Sequence, residues 1–104
     1  MRALPIACDA STFSSSAAFA AHLAEGRRLL SLATERCELD EGWAMHLPGD
    51  DATVLAIARW ILGERRCCPF LTFSLECQPE GELWMRITGP EGTKQVVRAE
   101  LGTP

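Results

Sequence analysis

The chain has 104 residues, 47% hydrophobic and 23% charged, with a net charge of −4. These values exclude a disordered tail, a collagen-like chain and a multidomain enzyme, and fit a single domain over 1–104 that buries roughly 65% of its unfolded surface. Its basic clusters are only Arg27-Arg28 and Arg65-Arg66, too few to neutralise phosphates, so no direct nucleic-acid binding is expected.

Leu4 to Ala7 reads as a short strand that Pro5 confines to an edge. Asp9 follows too soon for a secretory h-region, and no later apolar run is long enough to cross a bilayer. The sequence therefore reads as cytoplasmic, with no membrane partner. Ser14, Ser15 or Ser16 can cap a helix that runs to about Arg36, on which Phe19, Leu23, Leu30 and Ala33 recur at helical spacing. Gly26 weakens its middle by ~1 kcal/mol relative to alanine. Trp43 to Leu47 alternates as a strand, and Pro48-Gly49-Asp50 turns into a second helix over about 51 to 66. Val54, Leu55, Ile57, Ala58, Trp60, Ile61 and Leu62 cover most of its sides, so it should be buried, and Pro69 stops it. Phe70 to Cys77 alternates with Leu71, Phe73, Leu75 and Cys77 on its apolar face. Gln78 to Gly81 then connects it to a strand over Leu83 to Thr88. Gly89 to Gly92 turns into a last short helix with Val96, Val97 and Leu101 on one side.

The expected class is α+β: a two-layer sandwich of three or four mainly antiparallel strands with helices on one face, in the order (β)αβαββα. The other sheet face collects Phe70, Thr72, Ser74, Trp84, Arg86 and His46, a mixed surface that is neither solvent-like nor core-like. We expect a homodimer, with Phe70, Trp84, Arg86 and His46 as interface candidates.

Chemistry concentrates in Glu64-Arg65-Arg66-Cys67-Cys68-Pro69-Phe70. Five cysteines without any C-x-x-C argue against a thioredoxin-type or zinc-ribbon site, and a reducing compartment favours free thiols. On a helix Glu64 shares a face with the two adjacent thiols, whose side chains fan apart by about 100°, so one should be buried and the other turned outward. The negative end of the helix and Glu64 both raise a thiol pKa, so neither cysteine is expected to be unusually acidic. A soft ion changes that logic, because Hg(II), Cu(I) or a trivalent arsenical displaces thiol protons. The plain alternative is a pair of small hydrophobes ending a core helix.

Cys77 reads as core, and Cys37 as an exposed residue at the exit of the first helix. Cys8 approaches the pair only if tertiary packing brings it there. His22 reads as a boundary residue, and zinc is disfavoured because the ligand types are scattered. Glu64 can pair with Arg27, Arg28 or Arg65 as an ordinary ion pair. No phosphate loop, nucleophile elbow or zinc-protease motif is present.

The run Glu64 to Phe70 with Phe73, followed by Thr88-Gly89-Pro90-Glu91-Gly92, resembles a family of small uncharacterised bacterial proteins with a central E-x-x-C-C-x-F signature. It is also similar to segments attached to regulators of the mercury-resistance type. That resemblance implies effector sensing at Cys67, Cys68 and Cys8. It does not imply DNA binding, since no helix-turn-helix is identifiable in this sequence.

Two functions are therefore expected to compete. One is binding of a small thiophilic metal or metalloid, or sensing of oxidants, at Cys67, Cys68, Glu64 and Cys8, with a soft metal ion as the only cofactor contemplated. The other is a non-catalytic dimerisation or interaction module with structural cysteines. A cysteine enzyme ranks third, because Glu64 is the only base in reach.

Overall fold

The computed structural model describes residues 7–102. The expected strand at Leu4 lies outside the described residues, apart from Ala7, which forms a bend. A short 3-10 turn, Ala10–Thr12, leads into helix α1, Ser16–Leu30, whose N-terminus is closed by the Ser15 hydroxyl accepting from the Ala18 N–H. Strands β1, Glu35–Leu39, and β2, Gly42–Pro48, form a hairpin. Helix α2, Asp51–Cys67, precedes β3, Thr72–Cys77, and β4, Glu82–Thr88, and helix α3, Thr93–Leu101, ends the fold. The four strands are antiparallel in the order β1-β2-β4-β3. The α+β class and one-sided helical layer expected from the pattern are thus present.

Alternation along the strands decides which face is covered. Trp43, Met45 and Leu47 of β2 and Leu83, Met85 and Ile87 of β4 all point into the helical layer and are buried. They meet Leu29 and Leu30 of α1, Ile57 and Trp60 of α2, and Val97 and Leu101 of α3. Gly26 lets α1 approach closely, since a Cβ there would stand 2.7 Å from Trp60 Nε1 and 2.8 Å from Leu101 Cδ2. No helix among the described residues is long and apolar enough to cross a membrane.

Several local expectations are corrected. The first helix stops at Leu30, not near Arg36, and Glu35 to Leu39 is an edge strand. Its residues are mostly exposed and charged, so it carries no apolar alternation. Cys37 accordingly lies on this strand and is exposed. Cys77 is also exposed, as the last residue of the other edge strand, instead of lying in the core. Leu55 and Leu62 face outward on α2, 59% and 52% exposed, so the helix is less enclosed than its composition suggests.

Of the four interface candidates, Trp84, Arg86 and His46 do lie on the uncovered sheet face. His46 pairs with Trp84 across β2 and β4, with rings 5.0 Å apart, and Arg86 reaches Glu76 at 3.7 Å. Phe70 does not. It precedes β3, does not follow the strand's alternation, and is buried beside Cys67 and Cys68.

Asp50 caps α2, its carboxylate accepting from the Thr53 N–H at 3.1 Å and the Thr53 hydroxyl at 2.6 Å. The side-chain bond first, then the backbone one, hold the Asp50 pKa below its ordinary value. The stabilisation is therefore complete above the usual carboxylate range and disappears as pH falls through the lowered value. Asp50→Asn keeps an acceptor but cannot titrate. Urea unfolding should show the stability difference between wild type and Asp50→Asn shifting toward the variant below about pH 4, and remaining constant above it.

Candidate functional site

The end of α2 is built by its neighbour in sequence. Pro69 drives the preceding residue out of helical conformation, and Cys68 has φ −124° and ψ 70°. The 100° fan between consecutive helical side chains therefore does not apply. Cys67 leaves the last helical turn, Cys68 leaves the cap, and both sulfurs point into one cluster, 3.5 Å apart. Both residues are fully buried, which corrects the expectation that one would face outward.

The N-terminal segment closes over them. The Asp9 N–H donates to the Cys67 carbonyl at 2.7 Å, and Cys8 and Cys68 are joined as a disulfide with Cα atoms 4.6 Å apart. Tertiary packing thus does bring Cys8 to the pair, and the expectation of five free thiols gives way to three: Cys37, Cys67 and Cys77.

The surroundings are not hydrocarbon alone. Phe13, Phe70, Leu71 and Val96 pack on one side. On the other, Glu64 Oε1 lies 3.7 Å from Cys67 Sγ, and Glu100 Oε2 lies 3.3 Å from Cys68 Sγ and also contacts Cys8 Sγ. His22 Nε2 meets Glu64 Oε1 at 2.7 Å. Its ring is held between Phe13, 4.8 Å away centre to centre, and Trp60, 5.9 Å away and nearly parallel. Gly63 makes room for that ring: a Cβ there would fall 2.7 Å from His22 Cε1. Gly63→Ala should therefore cost about 1–3 kcal/mol as an overpacked contact and push His22 off Glu64. Thermal unfolding and the His22 imidazole resonances would report both effects, and unchanged resonances would contradict this placement.

Electrostatically the cluster is acidic and short of cations. Among the described residues no lysine or arginine forms an ion pair with Glu64 or Glu100. Arg27 reaches the Glu100 backbone carbonyl instead, at 3.0 Å, and Arg28 pairs with Glu25. The ordinary ion pairs expected for Glu64 are thus replaced by a single imidazole. Burial, reinforced by Glu100, pushes the Glu64 carboxyl well above the usual carboxylate range. Burial and the two carboxyls push the Cys67 thiol up to about 12, in the direction expected from the helix end. Burial, with Arg66 adding to it, lowers the His22 pKa, so imidazole and carboxyl meet without net charge. Among the described residues Glu64 Oε2 and Glu100 Oε1 are buried and accept no hydrogen bond, and the protonated Glu64 carboxyl can share its proton with Glu100.

Two overlapping donor sets follow, each with its ligand atoms within 4.8 Å of one another: Cys8, Cys67, Cys68 and Glu100; and His22, Glu64, Cys67 and Glu100. The scattered ligands that disfavoured a metal in the sequence do converge. An ion with metal–sulfur bonds of ~2.3 Å and metal–oxygen bonds of ~2.1 Å separates tetrahedral donors by about 3.6–3.8 Å. The Cys67–Cys68, Cys67–Glu64 and Cys68–Glu100 separations of 3.5, 3.7 and 3.3 Å are close to that range, whereas Cys8 Sγ, bonded to Cys68 and in close contact with Glu100, must move away from both to serve as a ligand.

The structure brings together Cys67, Cys68, Glu64 and Cys8, the residues singled out from the sequence, and adds two that the sequence reading did not select, His22 and Glu100. His22 lies four and seven residues before the buried Gly26 and Leu29, on the stripe that packs inward, and that register was its signal. Glu100 follows Val96 by one helical turn and shares its face, next to the buried Leu101. Set against family models, curated proteins and solved structures, this chain matches none of them.

Proposed function

We propose that the chain binds a thiophilic metal or metalloid ion through Cys8, Cys67 and Cys68, with Glu100 completing the donor set. The observation that carries this is the convergence of three sulfurs and a carboxylate in a buried pocket where, among the described residues, no lysine or arginine pairs with the carboxylate and its Oε1 accepts no hydrogen bond. Buried polar atoms without partners are costly, and an ion would satisfy them. Sulfur donors select soft or borderline ions. The effector-sensing role implied by the sequence resemblance concerns the same three cysteines.

Access supports the same reading. A surface depression of about 350 Å³ is lined by Cys8, Phe19, Leu23, Val96 and Glu100, so the cluster has an opening at its sulfur-rich end. Ion capture requires the Cys8–Cys68 bond to accept two electrons and two protons from a dithiol or a phosphine. A dithiol leaves as its own disulfide; a phosphine, with water, leaves as phosphine oxide. The disulfide itself favours oxidant sensing as a second reading, in which the same two sulfurs give up those electrons to an oxidant and release their ligand.

The test removes the two exposed thiols first, as Cys37→Ser and Cys77→Ser. After reduction, Hg(II) or arsenite should add to this chain in native mass spectrometry and protect the remaining thiols from alkylation. If reduced, folded protein takes up neither ion, the proposal is wrong.

The interaction-module alternative now rests on Trp84, Arg86 and His46 alone. A depression of about 340 Å³ bounded by Leu39, Ala44, Trp84 and Arg86 lies on that face. Should this face hold two copies together, Trp84→Ala would lower the sedimentation coefficient from a dimer's to a monomer's while leaving the fold intact. An unchanged coefficient would remove the interface.

A further inference from the structure

We propose that the cluster holds two cations, the second of them a borderline ion such as Zn(II) or Co(II), bound by His22, Glu64, Cys67 and Glu100. This rests on the ion-binding reading above and extends it: Cys67 and Glu100 belong to both donor sets and would bridge the two ions.

Three observations point to a second ion. The donor sets differ in chemistry. One is three sulfurs and a carboxylate; the other is an imidazole, two carboxylates and one sulfur, which suits a borderline ion better than a soft one. The unpartnered buried oxygens also lie on both carboxylates. Glu64 belongs only to the second set, is 1% exposed, and its Oε2 accepts no hydrogen bond among the described residues, so an ion in the sulfur-rich set alone would leave the Glu64 carboxyl with only His22, Cys67 and a proton shared with Glu100 as partners. Lastly, the second set has its own opening. A depression of about 410 Å³, lined by Ala21, His22, Glu25, Arg59 and Trp60, reaches the His22 end, separately from the one at Cys8.

Charge balance is compatible with two ions. Without an ion the Cys67 thiol and the Glu64 carboxyl keep their protons. If two divalent ions displace these, five anionic donors meet four positive charges in a site where, among the described residues, no lysine or arginine pairs with Glu64 or Glu100. In the metal-free protein the 2.7 Å contact between His22 Nε2 and Glu64 Oε1 is held by a shared proton, and the second ion takes that proton's place. Phe13 and Trp60 on the two sides of His22 fix the ring before any ion arrives.

The experiment uses the full chain carrying Cys37→Ser and Cys77→Ser, reduced with a phosphine and titrated with Co(II) without oxygen. Native mass spectrometry should show two Co(II) per chain at saturation. Electron paramagnetic resonance should show the high-spin signal weakened, as the second equivalent binds, by coupling through the shared sulfur. His22→Ala should lower the stoichiometry from two to one with the signal restored, whereas Cys8→Ser should weaken only the sulfur-rich set. Saturation at one Co(II) that His22→Ala leaves in place overturns the second ion and keeps the proposed function. No Co(II), Hg(II) or arsenite bound at all overturns both. If His22→Ala does not fold, the wild-type stoichiometry and spin coupling decide alone.

Discussion

Replacing Cys67 with alanine is expected to weaken Hg(II) or arsenite binding by more than about 100-fold, because even residues one step removed from a metal ligand are worth 10–100-fold. Cys67 is the sulfur that both donor sets contain. It is also outside the disulfide, so the variant leaves the Cys8–Cys68 link intact. Alanine suits the apolar contacts made by Phe70 and Leu71 in the same cluster, and the loss of one buried sulfur beside two carboxyls should change stability little. A variant that folds normally and still binds with wild-type affinity would show that the adjacent cysteines act only as packing.

Breaking the Cys8–Cys68 bond should have the largest effect on stability. The two cysteines are separated by 60 positions, and closing a loop of that length restrains the unfolded chain by about 4 kcal/mol in the chain-entropy treatment. For a domain of this size each kcal/mol moves the melting temperature by about 4–8 °C. A phosphine should therefore lower the melting temperature by something of the order of 20 °C. An ion that binds only the folded, reduced chain at a concentration of ~1,000 times its Kd returns about 4 kcal/mol. Arsenite or Hg(II) should thus restore the reduced protein nearly to its oxidised melting temperature. In Cys8→Ser, which has neither link nor third sulfur, the phosphine should change nothing and the ion should rescue far less. Reduced wild type that melts low and is not rescued would separate the disulfide from any ion.

Much of this architecture was legible in the sequence, and the exceptions have physical causes. The alternation of Trp43, Met45 and Leu47, and of Leu83, Met85 and Ile87, placed the two central strands and their buried face because one side of the sheet is fully covered. The edge strand Glu35–Leu39 was invisible for the complementary reason: it has little core to face, so its sequence carries no pattern. Cys77 kept the right parity, yet exposure at a strand end depends on how far the helical layer extends.

The site was half legible. Glu64, Cys67 and Cys68 are neighbours in sequence and were found together. Their convergence with Cys8, His22 and Glu100 depends on three separate chain segments meeting at the end of α2, which no local spacing records. His22 was masked by its place in an otherwise apolar helix stripe, where a histidine reads as packing. Phe70 was assigned to the outer sheet face because it was counted as part of the strand, whereas the Pro69 turn sets it beside the sulfurs.

X-ray absorption at the edge of the bound ion would inspect these donors most directly. With arsenite on the reduced chain lacking Cys37 and Cys77, the first coordination shell should contain three sulfur neighbours, falling to two in Cys8→Ser. A shell made only of oxygen or nitrogen, or one unchanged by losing Cys8, Cys67 or Cys68 in turn, would contradict the assignment of this cluster as an ion-binding centre.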